Sequence, residues 1–291
     1  MKRRFFHTPV HASLAGLFLA VLAATCGWAG AGRDVQNRLD ADIDGGRPVV
    51  VHVVVALCDN ANQGIVPVPG PLGDGREPRT NLYWGALYGL KTHLTGAAGW
   101  ERMDAARPGD RRILERVLLR TRIQRGERSV PVYLVADAWD GACIREAIEA
   151  FFRMAAGRST ETIEGTDDQG PAAFPAGGAS HLLVYLGHNG LMEFETASPV
   201  SPDAEFPARS AVVLSCSSKR YFLDDLESAG AHPLLLTTGL MAPEAYTLDA
   251  VVRSWIGPGT TEAVVRAAAR AYARYQHCGI GAAAGLFWGA P

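Results

Sequence analysis

Short apolar runs alternate along this chain with segments of helical periodicity. The apolar runs, several of them rich in β-branched residues, lie at 48–57, 130–136, 181–186, 211–214 and 233–239. Helical segments are predicted at 144–154, 244–256 and 261–276, the first with a clear apolar face. Near-continuous apolarity is typical of strands buried on both faces, as in a parallel sheet between helices. The pattern therefore predicts an α/β fold, a three-layer α/β/α sandwich with a mainly parallel sheet.

The stretches between these elements have less regular patterns. Residues 81–94 have the apolar spacing of a helix, with Thr80 or Asn81 as its candidate cap. The basic segment 111–128 is interpreted as partly helical. Residues 59–79 and 157–180 are rich in Gly and Pro and are predicted to be loops. Loops of this length are uncommon unless they have a function, so both are candidates for lids or processing sites.

The first 31 residues have the pattern of an export signal. Three basic residues follow Met1, an apolar stretch covers 12–25, and small residues occupy 29–31. This arrangement predicts a secretory signal peptide over 1–31. No linker, charge block or repeat divides the remainder, so we expect one domain over 32–291.

Cys26 supports a competing prediction, a lipoprotein anchored through that residue. Thr25 is a poor residue before a lipidated Cys, so we expect simple export to the periplasm or the medium. No later segment is long and apolar enough to span a bilayer, so the mature chain is expected to have no transmembrane segment.

Charge and cysteine content exclude several classes of protein. Without residues 1–31 the chain has 25 basic and 30 acidic residues, a net charge of −5, which argues against a nucleic-acid partner. Four Cys remain, too few for a disulfide scaffold, and they form no CxxC pair. The sequence contains no Walker loop, no Rossmann glycine pattern and no convincing metal-ligand spacing. We therefore expect neither a metal nor an organic cofactor, and the oligomeric state is left open.

Polar side chains follow most of the apolar runs, where each predicted strand ends. Ligands bind at the carboxyl ends of the strands in open α/β sheets, so this edge is the candidate site. Its polar residues are Asp59, Asn60, Asp137, Asp140, His188, Cys216, Thr237 and Thr238. Packing alone does not explain so many polar residues along one edge.

His188 and Cys216 end successive predicted strands and form the candidate catalytic pair. A thiol attacks as its thiolate, and a neighbouring imidazole takes the proton. Neighbouring strands lie about 5 Å apart, so the two side chains can approach each other. Backbone N–H groups near Asn189 and Gly190 are candidates for an oxyanion hole.

The other polar residues have simpler alternatives. Asp59 either orients the catalytic imidazole, binds substrate or forms an Asx turn, and the turn is favoured for Asn60. Asp137 is interpreted as part of a strand-end turn and Asp140 as a helix N-cap. His52, inside an apolar run, is interpreted as a core histidine with its hydrogen bonds satisfied.

Two blocks of sequence carry a family resemblance. Tyr185-Leu186-Gly187-His188-Asn189-Gly190 and Val213-Leu214-Ser215-Cys216-Ser217-Ser218 resemble the His and Cys blocks of the caspase-like cysteine peptidases, in particular their separase, CHAT and gingipain-like branches. The resemblance extends over about residues 48–240. It implies a caspase-like fold and hydrolysis of peptide bonds in a peptide or protein substrate. It also implies that Cys216 is the nucleophile and His188 the base.

Two positions support an alternative without catalysis. Asn189 directly follows the His, where the family usually has Gly, and Leu214 stands where several branches have an Asp that binds a basic substrate side chain. A preference for Arg or Lys is therefore not predicted. The alternative is a non-catalytic caspase-like binding or assembly module of the periplasm. A third hypothesis is hydrolysis of another amide or an ester by the same two residues.

Overall fold

A computed structural model describes residues 30–167, 170–196, 200–203, 205–257 and 260–291. The helices are α1 (residues 30–44), α2 (Leu90–Thr95), α3 (Ile144–Ala155), α4 (Ser218–Ser228), α5 (Ala245–Ile256), α6 (Thr261–Gln276) and α7 (Ile280–Leu286). The strands are β1 (Val49–Ala56), β2 (Glu101–Met103), β3 (Ile113–Arg125), β4 (Arg128–Trp139), β5 (Thr160–Asp167), β6 (Gly170–Gly177), β7 (Leu182–Leu186), β8 (Ser210–Leu214), β9 (His232–Thr237) and β10 (Phe287–Trp288). Residues 1–29 of the predicted export signal lie outside the described residues.

One mixed sheet organises the fold, with its strands in the order β10-β9-β8-β7-β1-β4-β3-β2. The strands β1, β4, β7, β8 and β9 are parallel. The strands β2, β3 and β10 join antiparallel at the two sides. An α/β fold with a mainly parallel sheet is therefore confirmed. The five parallel strands end at one edge, where the sequence predicts the site.

Helices cover both faces of the sheet. In β1, neighbouring residues point to opposite faces, and both sets of side chains are buried. Val53 and Val55 belong to the core that the sheet shares with α5 and α6. Val54 belongs to the opposite core, with Phe151 of α3 and Phe222 of α4. Each fully buried side chain of this size contributes about 1.5–3 kcal/mol of transfer free energy. The two cores are compatible with a three-layer arrangement.

The strongest apolar patterns lie close to the observed elements. The runs at 181–186 and 211–214 correspond to β7 and β8, and the helix predicted at 144–154 corresponds to α3. The Asp140 carboxylate accepts the N–H of Ala142 at 3.0 Å and caps the 3₁₀ turn Gly141–Cys143 that leads into α3, so its prediction as a helix N-cap is confirmed for this turn. No helix in the described ranges is long and apolar enough to cross a membrane.

The basic segment 111–128, predicted to be partly helical, is instead β3 and the first residue of β4. Val117 and Leu119 face the core shared with α5, and Leu118 between them faces the other side. This alternation is that of a strand. A two-residue turn containing Gly126, with φ 59°, returns the chain as β4, and the two strands pair from Arg125 back to Glu115, where a bulge shifts the register.

The prediction of a loop over 157–180 is also wrong for most of its length, because the β5–β6 hairpin forms there. Ile163 and Phe174 from this hairpin are buried against the sheet, and the Phe174 ring lies 4.3 Å from the ring centroid of Tyr133. Pro175 is tolerated because β6, which contains it, pairs within the described residues with β5 alone.

The helix predicted over 81–94 is also wrong for most of its length, because only α2 forms there. The buried amide of Asn81 accepts hydrogen bonds from the N–H groups of Cys58 at 3.0 Å and Tyr83 at 3.1 Å. An Asn side chain bonded to nearby backbone competes with helix formation. The segment therefore folds as successive turns against the end of β1.

A buried charge network lies beside β1 and β4. The N–H of Gly177 donates to Nδ1 of His52 at 2.8 Å, and Nε2 of His52 lies 3.2 Å from the Asp137 carboxylate. His52 is thus confirmed as a satisfied core histidine. The prediction that Asp137 belongs to a strand-end turn is wrong, because Asp137 lies inside β4 and pairs with both neighbouring strands. Its carboxylate binds two nitrogens of Arg116, which also binds Glu161. Burial alone raises the pKa of Asp137, but the hydrogen bonds from Arg116 and His52 lower it below its usual value.

Candidate functional site

The carboxyl ends of β7 and β8 carry the candidate pair, His188 and Cys216, at the same level of the sheet. The two strands are parallel neighbours, and their last paired residues are Leu186 and Leu214. His188 and Cys216 each follow two residues later, so the register brings them to equivalent positions. Leu186 and Leu214 both face the core shared with α5 and α6. The chain leaves strand geometry at Gly187 and Ser215, so the register fixes the level of His188 and Cys216, and the two turns fix their directions.

Cys216 lies in a tight turn between β8 and α4. Ser217 has φ 50°, a left-handed conformation that is uncommon for residues other than Gly. The hydroxyl of Ser218, the first residue of α4, donates to the Val213 carbonyl at 2.9 Å and accepts the N–H of Thr237 at 2.8 Å. These buried bonds attach the turn to β8 and β9, and they fix the backbone that carries the sulfur.

The sulfur of Cys216 is half-buried beside backbone and aromatic groups. The N–H of Met241 donates to Sγ at 3.4 Å. Burial raises the pKa of the Tyr83 hydroxyl, and the negative charges of the Cys58 and Cys216 sulfurs raise it further. Burial also raises the pKa of Cys58 to about 11, which leaves that thiol protonated and unreactive at neutral pH.

His188 is held from two sides, and its side chain is 9% exposed. Its Nε2 lies 2.6 Å from Oε1 of Glu193, and the same oxygen accepts the N–H of Gly64 at 3.1 Å. The hydroxyl of Tyr185 donates to the His188 carbonyl at 2.7 Å. In the part of the chain that the structure describes, no hydrogen bond joins His188 to Cys216. Catalytic hydrogen bonds are often long until substrate binds.

Asn189 bonds to both the turn that carries His188 and the turn that carries Cys216. Its buried side chain accepts the N–H of Leu191 at 3.1 Å and caps a 3₁₀ turn over Gly190–Met192. The same amide donates to the Cys216 carbonyl at 2.6 Å. A Cβ on Gly190 would lie 2.5 Å from the ring of Phe194, so glycine lets this ring pack against the turn. Asn189 thus joins the His turn to the Cys turn.

Two backbone N–H groups in the His and Cys turns have no protein partner among the described residues. No other described residue accepts a hydrogen bond from the N–H of Gly190 or of Cys216. Gly190 is buried, and buried N–H groups without partners are rare in folded proteins. Backbone N–H groups without partners are suited to bind a negatively charged oxygen that reaches them.

Asp59 and Asn60, the other predicted site residues, bond within the loop 59–79. The carboxylate of Asp59 accepts the backbone N–H of Asn62 at 3.1 Å and its side-chain N–H at 2.9 Å. The amide of Asn60 exchanges hydrogen bonds of 2.8 and 3.0 Å with the backbone of Val68. Neither side chain bonds to the candidate pair within the described ranges. Both side chains shape the loop from within.

Glu193 contacts His188 of the candidate pair directly, yet the sequence reasoning missed it. Glu195, two residues later, is equally acidic and exposed, and nothing in the local pattern separates the two. The contact that distinguishes Glu193 comes from Gly64, which is 129 residues away along the chain. The one available signal is its short distance after His188, which allows a turn to fold it back.

In the ranges covered by the structure, no group of three His, Cys, Asp or Glu side chains is placed to hold a metal ion. No protein-family model, curated protein or solved structure matches this chain. The interpretation of the site therefore depends on its own geometry.

Proposed function

We propose that this chain is an exported cysteine hydrolase of caspase-like fold that cleaves peptide bonds, with Cys216 as nucleophile and His188 as general base. The observation that carries the proposal is the register of β7 and β8, in which one strand leads to a His and its parallel neighbour to a Cys at the same level. A thiol and an imidazole so arranged are the minimum that thiolate catalysis requires.

The surroundings of the sulfur support a negatively charged intermediate. The N–H of Met241 already points at Sγ, and α4 begins two residues after Cys216. The N-terminus of a helix stabilises nearby negative charge. The N–H groups of Gly190 and Cys216 would bind the oxyanion formed when the sulfur attacks a carbonyl.

The proposed reaction proceeds in two halves. His188 takes the proton of the Cys216 thiol, and the thiolate attacks the carbonyl carbon of the scissile bond, so that an S–C bond forms. The C–N bond then breaks, and the imidazolium gives its proton to the leaving amine. In the second half, water attacks the thioester with His188 as base. The acid is released and the thiol is regenerated.

The test compares thiols within one protein. Iodoacetamide is added at pH 6 to the parent, C216A, H188A and C278A, and peptide mass mapping follows alkylation at each Cys. Cys278 is exposed and serves as the internal standard. We expect Cys216 in the parent to react at least about tenfold faster than Cys278, because the base maintains a thiolate. H188A should remove that advantage.

A peptide library incubated with the same four proteins supplies the second readout. The parent and C278A should cleave, whereas C216A and H188A should not. Equal alkylation rates at Cys216 and Cys278 in the parent, together with no cleavage, would overturn the proposal. Cleavage of small acyl amides or esters alone would retain the nucleophile and change the substrate class.

A specific observation favours a second candidate, a non-catalytic binding or assembly module. The His188 ring is nearly covered, and the amide of Asn189 fills the space between the two turns. An unreactive Cys216 in the experiment above is the result expected of such a module.

Export is retained from the sequence as part of the proposal. Expression of the full chain in a bacterial host, followed by N-terminal sequencing, tests it. A chain recovered outside the cytoplasm and beginning near Gly32 supports export, and an uncleaved cytoplasmic chain contradicts it.

A further inference from the structure

Glu193 has a position that the two-residue mechanism does not explain. It ends the 3₁₀ turn that Asn189 begins, so the chain folds the carboxylate back onto His188. The distance of 2.6 Å between Oε1 and Nε2 is that of a strong hydrogen bond. The Glu193 side chain is 36% exposed, whereas that of His188 is 9% exposed. The carboxylate therefore covers the imidazole on its solvent side.

The long loop 59–79 takes part in this contact through Gly64. Its N–H donates to Oε1, the same oxygen that meets His188. A Cβ on Gly64 would lie 2.2 Å from that oxygen, so the approach requires glycine. Two donors from separate parts of the chain thus converge on one carboxylate oxygen and fix its place.

We infer that Glu193 is a positioning residue that holds His188 with Nε2–H donated to the carboxylate and Nδ1 available to take the proton of Cys216. The inference rests on the proposed function. A carboxylate only accepts hydrogen bonds, and a neutral imidazole has one N–H and one acceptor nitrogen. The contact with Glu193 therefore assigns the hydrogen to Nε2 and the lone pair to Nδ1.

The same contact serves the charged state of the reaction. When the thiol proton moves from Sγ to Nδ1, the imidazolium forms with its Nε2–H still bonded to Glu193. A negative charge at that distance stabilises the cation without taking its proton, as a carboxylate does behind the histidine of a hydrolytic triad. The catalytic group would then be a Cys–His–Glu arrangement, in which loop 59–79 fixes the third member.

The test uses two substitutions at Glu193 and one matched control. E193A removes both the acceptor and the charge. E193Q keeps an acceptor oxygen, which the N–H of Gly64 holds toward His188, and removes only the charge. E195Q makes the same chemical change at an exposed residue two positions later. Thermal melts of all variants confirm that each one folds.

The first readout is nuclear magnetic resonance of ¹⁵N-histidine protein, which reports the tautomer of His188. We expect the Nε2–H form and a downfield, exchange-protected Nε2 proton in the parent, E193Q and E195Q, and loss of both in E193A. The second readout is the rate of alkylation of Cys216 by iodoacetamide at pH 6. It should fall by about tenfold in E193A, by a few-fold in E193Q, and not at all in E195Q.

The outcomes separate this inference from the proposed function. If Cys216 of the parent reacts no faster than Cys278, the proposed function fails whatever Glu193 does. If Cys216 of the parent is reactive but E193A keeps both the Nε2–H tautomer and the parent rate, only the role of Glu193 is overturned. If E193A does not fold, a rate for E193Q equal to that of E195Q overturns it equally.

Discussion

Substitution of Asp137 is expected to lower the free energy of unfolding by a large amount, because this carboxylate belongs to a buried ion pair. Its side chain is 1% exposed, and Arg116, 3% exposed, reaches it with two nitrogens at 2.6 and 2.7 Å. The Nε2 of His52 is a third partner at 3.2 Å. The substitution Asp137→Asn keeps the shape of the side chain but leaves the buried guanidinium with Glu161 as its remaining anionic partner.

The magnitude follows from the burial of both charges. Removing one partner of a buried ion pair costs about 3–5 kcal/mol, because the other charge stays in the interior uncompensated. Glu161 is 41% exposed and still offsets part of the Arg116 charge, so we expect a loss near the lower limit, about 3 kcal/mol. A typical domain is stable by about 5–15 kcal/mol, so the loss is a large fraction of the total.

Urea unfolding followed by tryptophan fluorescence measures the effect. The control is Asp44→Asn, the same change in an ion pair with Arg128 in which both side chains are more than half exposed. An exposed pair contributes about 0–1 kcal/mol. The double variant R116M/D137L should lose less than the sum of its single variants, because it leaves no orphaned charge. A loss for D137N no larger than that for D44N would refute this reasoning.

Two further predictions concern the turn at the site and the effect of pH. Ser218→Ala removes the buried bonds to Val213 and Thr237, so it should lower stability by about 1–3 kcal/mol and slow alkylation of the neighbouring cysteine, both measurable by the assays above. Burial lowers the pKa of His181 to about 4, against the opposing pull of Asp42, whereas an unfolded histidine titrates near 6.5. As the pH drops, the unfolded state therefore binds the proton first, and the free energy of unfolding should fall between about pH 6.5 and 4. Urea midpoints at three pH values measure this fall, which should be smaller in H181Q.

The central strands could be predicted from sequence because their apolar runs are unambiguous. The stretch 182–186 has no polar interruption, and burial on both faces requires none. By contrast, β3 contains several Arg residues whose charges are neutralised by partners such as Glu101 and Asp137, distant in sequence. A charged segment looks like a surface helix until those partners are known. The strand conformation of β3 therefore depends on tertiary contacts that the local sequence pattern does not show.

The candidate site divides in the same way. His188 and Cys216 could be found because a strand and its turn are local features, and the common edge follows from parallel order. Glu193 could not, because its contact with Gly64 depends on how a long loop folds. Asp59 had the correct residue type at the correct edge, yet it bonds within its own loop. Polar type and strand end predict an edge but do not say which side chains meet there.

The two outermost strands have a consequence for how the protein behaves at high concentration. β2 has three residues and β10 has two, so neither offers a long row of open backbone groups to another molecule. β3, next to β2, carries the exposed residue Arg122 in the part that extends beyond β2. Short outer strands and charged side chains are the devices that prevent one sheet from extending into the next. The protein should therefore stay monodisperse as it is concentrated, even though its central strands are among the most aggregation-prone sequences in the chain.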